Sequence, residues 1–92
     1  MPSVYFKVRW PDQSESQCYS PSTVIHDYFR AGEQLSLQEF LARARAGLGA
    51  ASERVRMKFG FACSSAADQL AQIEAAATRF AADATVEVLA VG

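Results

Sequence analysis

Histidine is almost missing from this sequence: His26 stands alone among 92 residues. One imidazole excludes a multi-histidine metal site within the chain. Cysteine is nearly as scarce. Cys18 and Cys63 are too few for a disulfide scaffold. No apolar run approaches the roughly 18 residues of a membrane span. No apolar signal-peptide core follows Lys7 and Arg9, so a cytoplasmic address is expected. A basic excess is missing too. Nine basic residues face ten acidic ones, for a net charge of -1 and a pI near 5.7. Nucleic-acid binders usually carry a basic surplus, so nucleic acid is not an expected partner. The phosphate-loop, dinucleotide-binding, H-E-x-x-H and C-x-x-C patterns are all absent. A Ser-His-Asp arrangement would have to use His26, and nothing else supports one. No catalytic residue, metal or cofactor is therefore assigned from pattern.

What is present is enough to fold. Half the residues are hydrophobic and 11% are aromatic. Disorder requires low hydrophobicity and high net charge, and this chain has neither. Its length corresponds to one domain. Val4, Phe6, Val8 and Trp10 alternate with Tyr5, Lys7 and Arg9, which predicts a half-buried strand. Pro11 to Ser14 breaks the alternation, and a second strand over about Ser16–Tyr19 completes a hairpin. No Asp-Gly or Asn-Gly pair is present, so the turn should be wider than two residues. Ser20-Pro21 opens a short helix that carries Val24, Ile25, Tyr28 and Phe29 and ends at Gly32.

The strongest start signal comes next. Ser36 and Glu39 form an S-x-x-E capping box, and Leu35 with Phe40 form a hydrophobic staple. Leu37, Phe40, Leu41, Ala44, Leu48, Ala51, Val55 and Phe59 then keep a helical spacing until Gly60, where Phe61 can fold back. A third helix starts at Ser64 or Ser65, with Asp68 in its first turn. Its apolar stripe is Ala66, Leu70, Ile73, Ala77, Phe80 and Ala81. Thr85 to Val91 reads as a last strand, with Val86, Val88 and Ala90 on one face. The expected order is β-β-α-α-α-β. The fold class is α+β, a small three-stranded sheet packed on a helical hairpin.

Four segments together carry a resemblance. They are Val8-Arg9-Trp10-Pro11-Asp12, Cys18-Tyr19-Ser20-Pro21-Ser22, Ala51-Ser52-Glu53-Arg54-Val55, and Phe59 to Ser64. In this order, over nearly the whole chain, they resemble a family of small bacterial nitrogen starvation response proteins encoded in nitrilase gene clusters. One departure is Gln13, where that family is associated with Gly. The resemblance implies a context rather than a chemistry. Its neighbouring genes look like a nitrilase, a radical-SAM protein, a flavin-dependent oxidoreductase, an acetyltransferase and an AIR-synthase-like protein. Such clusters are associated with nitrogen scavenging, including cyanide assimilation. No catalytic residue is carried over.

Two groups of residues are candidates for function. The far side of the middle helix carries Ala42, Ala46, Gly49, Ala50, Glu53 and Met57. A solvent face normally carries more charge, and small residues let another backbone approach. Arg43, Arg54 and Lys58 flank one side of the core stripe, Arg45 and Arg56 the other. Residues 36–59 hold a net +3 and the remainder -4. This face is expected to make a protein contact, within a homo-oligomer (a dimer) or with proteins of the nitrilase cluster. Alanine's high helix propensity is the plainer reading of the same face. The second group is Cys63, Ser64, Ser20 and Ser22. Cys63 precedes a helix N-terminus, where a thiol's pKa falls, and hydroxyl-rich helix starts can bind anions. It is a candidate ligand or redox site, and on it rests the alternative to an accessory protein, a small enzyme or metabolite-binding protein. The plainer readings are a buried Cys63 and serines that only cap helices. Cys18, His26 and Cys63 have no local chelate spacing.

Overall fold

The computed structural model describes residues 3–60 and 64–92. Strands β1 (Val4–Arg9) and β2 (Glu15–Ser20) form an antiparallel hairpin that pairs Tyr5 with Tyr19 and Arg9 with Glu15. The Gln13 N–H donates to the Trp10 carbonyl at 2.9 Å, and the Trp10 N–H to the Ser14 carbonyl at 2.7 Å. Pro11 fits the second position of that turn. The connection is wider than two residues, as expected. Gln13 takes a left-handed φ of 74°. Hairpin loops of this length place a left-handed residue after the turn, usually glycine.

The short helix predicted after Ser20-Pro21 is instead one 3-10 segment, Thr23–Asp27, capped by Ser22. Adjacent β-branched Val24 and Ile25 and the segment's shortness favour the tighter form. Gly32 does not end it. At φ 87° Gly32 turns the chain into a strand the sequence pattern hides, β3 (Gln34–Ser36). Three residues are too few to display alternation, and Leu35 also reads as the helix staple. The expected three strands and three helices become four strands and two α-helices.

Helix α1 (Leu37–Phe59) starts where predicted. The Ser36 hydroxyl accepts the Glu39 N–H at 3.2 Å. The reciprocal half of the capping box is replaced, because the Glu39 carboxylate takes a 3.0 Å hydrogen bond from Arg43 Nε. Gly60 ends the helix at φ 84°, its N–H on the Arg56 carbonyl. Phe61 lies outside the described residues. Helix α2 (Ser64–Ala77) stops before Phe80 and Ala81, and Asp68 falls beyond its first turn. Phe80 still reaches the core from the loop that follows, stacked on Trp10 with ring centroids 5.9 Å apart.

Strand β4 (Thr85–Val91) lies between β1 and β3, giving a fully antiparallel sheet of order β2-β1-β4-β3. The register shifts between Lys7 and Val8. Val8 pairs with Val88 and Lys7 with Ala90, so Leu89 is the extra residue of a bulge. The bulge reverses which face the following residues share. Val86 and Val88 are buried as expected, but Ala90 turns outward and Val91 packs on the core.

The helices cover one sheet face. Between the layers Phe6, Phe29, Phe40, Trp10 and Phe80 make a continuous chain of ring contacts, each 5.3–5.9 Å centroid to centroid. The Trp10 indole N–H is satisfied by Ser16 Oγ at 2.9 Å. The other sheet face is open and ionic. Lys7 and Arg9 pair with Glu15, and Arg9 with Glu87. Tyr5 and Tyr19 meet edge to face at 5.6 Å. At the outer edge of β2, the Tyr19 N–H donates to Gln69 Oε1 of α2 at 3.0 Å.

Candidate functional site

The helical period sets what α1 presents. Leu37, Phe40, Ala44, Gly47, Leu48, Ala51 and Val55 face the sheet and α2 and are buried. Half a turn away, Ala42, Ala46, Gly49 and Glu53 are exposed and Ala50 is half-buried. Met57 is 78% exposed, the most uncovered large apolar side chain among the described residues. Phe59, predicted in the core stripe, is 50% exposed instead, because α1 ends there beyond its buried turns. A Cβ built on Gly49 meets nothing within 4 Å. Sequence reasoning missed the other glycine. A Cβ on Gly47 would lie 2.7 Å from Ile25 Cδ1 and 3.1 Å from the Tyr28 ring. Gly47 lets the 3-10 segment lie against α1. The only prior signal for it was its place on the apolar stripe.

The cations flanking the stripe have different fates. Arg43 ties α1 to the turn before β3, with hydrogen bonds to Glu33 at 2.9 Å and the Tyr28 carbonyl at 3.4 Å. Arg43 holds the Glu33 carboxyl below the usual carboxylate range. Arg45 pairs with Glu74 of α2 at 3.2 Å. Arg56 pairs with Glu53, whose pKa its hydrogen bonds depress. Arg54 and Lys58 have no carboxylate partner among the described residues. The exposed end of α1 therefore combines Arg54, Met57 and Lys58, whose ammonium lies 5.8 Å from the centre of the Phe59 ring.

The second candidate group does not gather. Ser20 and Ser22 are fully buried. The Ser20 hydroxyl donates to the Ser22 carbonyl at 2.8 Å and accepts the Ser22 N–H at 3.3 Å, while the Ser22 hydroxyl accepts the Val24 N–H. Both are occupied in shaping the exit from β2. Ser64 is exposed at the start of α2, and Cys63 lies outside the described residues. Cys18 is buried under α2, and burial pushes its thiol up to about 12. His26 is exposed. Among the described residues no three His, Cys, Asp or Glu side chains are placed to hold a metal ion. Among the described residues no helix is long and apolar enough to cross a membrane.

Comparison with curated proteins and with solved structures returns no match. A family model does match, over residues 5–91, from the strand that begins the hairpin to the end of β4. Nearly the full chain is covered, so this protein belongs to the family of the nitrogen starvation-induced protein NitG.

Proposed function

We propose that this chain is a non-catalytic accessory protein of the nitrogen starvation response, working in the cytoplasm by assembly. Its partners are a second copy or enzymes of a nitrilase-type nitrogen-scavenging cluster, and a twofold dimer is the simplest form. The observation that supports this reading is the uncovered face of α1. Ala42, Ala46, Gly49 and Met57 touch no other part of the described fold closely enough to be buried. Helix propensity accounts for the alanines. It does not account for Gly49, and Met57 adds an exposed apolar side chain to the same face. The family membership supports the nitrogen-starvation context.

Native mass spectrometry tests it, with the protein alone and co-expressed with the nitrilase and the oxidoreductase of its cluster. The expected result is a dimer or a hetero-complex that Ala46→Glu combined with Ala50→Arg dissociates. Both positions lie off the core, Ala46 exposed and Ala50 half-buried, so the variant should stay folded. Monomer in both preparations, or a complex indifferent to the double substitution, overturns the reading. Cys63→Ala should leave assembly unchanged.

A further inference from the structure

Leu37 and Leu41 of α1 and Ala77 and Phe80 at the end of α2 line a cleft of about 310 Å³ on the flank of the helical layer. It forms because α2 ends on a small residue, Ala77, opposite the two leucines, and the chain then bends away. Its end wall is fixed by backbone. The Leu37 N–H donates to the Ala84 carbonyl at 2.7 Å and the Gln38 N–H to the Ala82 carbonyl at 3.0 Å. At its rim stand two opposite charges, Arg45 and Glu74.

That ion pair differs from the others on α1. Arg56 grips both oxygens of Glu53, and Arg43 engages Glu39, Glu33 and the Tyr28 carbonyl. Arg45 commits only Nε, to Glu74 Oε1. Its two terminal nitrogens and Glu74 Oε2 have no partner among the described residues. Both side chains are about half exposed, so their mutual attraction is weak and easily shared.

We infer that this cleft binds an apolar α-amino acid of about leucine size. The apolar side chain would lie on Leu41 and Phe80. The carboxylate would take the free nitrogens of Arg45, and the ammonium would donate to Glu74 Oε2. The Arg45–Glu74 hydrogen bond need not break. The volume stands at the lower end of small-molecule sites, about 300–1,000 Å³. An apolar floor beside one cation and one anion matches a zwitterion better than an acid or an amine alone. The apolar lining of the site is separate from the outer face of α1.

Amide chemical shifts of the full chain, titrated with L-leucine, 4-methylpentanoate and 3-methylbutylamine, test this. L-leucine should saturate, moving amides of residues 37–45 and 74–82, and bind about tenfold tighter than either analogue, the effect of one charged hydrogen bond. Arg45→Ala should remove the advantage of L-leucine over the amine, and Glu74→Ala its advantage over the acid. Ala82→Trp, at an exposed rim position, should block all three probes without disturbing the core. Equal binding of the three probes, unsaturable shifts, or shifts centred elsewhere overturn the inference.

Discussion

The two faces of α1 use glycine in opposite ways. On the inner face Gly47 is crowded, with Ile25 and Tyr28 where a Cβ would sit. On the outer face, two residues on, Gly49 opens onto nothing. The same contrast holds for bulk. Phe40 is wholly buried and touches Trp10 and Phe29, whereas Met57 stands free. One face is determined by this chain's own packing. On the other, Gly49 costs helix stability without any return inside the described fold, and so asks for an explanation outside it.

Substitutions can break or sharpen this contrast. The largest effect belongs to Phe40→Ala, which opens the centre of the aromatic chain. It should cost about 3–5 kcal/mol, read as a fall in the denaturant midpoint. Gly47→Val should cost about 1–3 kcal/mol, since the 3-10 segment must lift off α1. Gly49→Ala should go the other way, adding about 0.8–1 kcal/mol from helix propensity alone and raising the melting temperature by roughly 4–8 °C. A loss of stability there would show that the outer face is already packed in solution. Gln13→Gly, far from both faces, should add roughly 0.5 kcal/mol by relieving the left-handed backbone. An unchanged denaturant midpoint would show that the hairpin turn accommodates Gln13 without strain.

Periodicity made the long elements legible. The 23 residues of α1, its Ser36 cap and its Gly60 stop all carry local signals, and β4 was readable to the residue. What escaped was non-local. Strand β3 exists because Gly32 and Glu33 bond to Val88, 55 or more residues away, which no pattern within Gln34–Ser36 reveals. The bulge at Leu89 depends on the register against β1, so alternation placed Ala90 on the wrong face. The outer face of α1 could be read because it needs only a helix. Ser20 and Ser22 read as a hydroxyl-rich helix start open to an anion, yet the turn they build folds their hydroxyls inward. Arg45 was visible as a flanking cation, but its pairing across to Glu74 required the docking of two helices.

Gln69 has a consequence for how this sheet can grow. A side-chain amide carries the same carbonyl as a peptide unit, and Gln69 sets it where an incoming strand would accept the Tyr19 N–H. One hydrogen-bonding position on that margin is filled in this way. The opposite margin, β3, offers only three residues. Strand-by-strand accretion, the usual route from a folded β-protein to a fibre, meets a stopper on one side and a stub on the other.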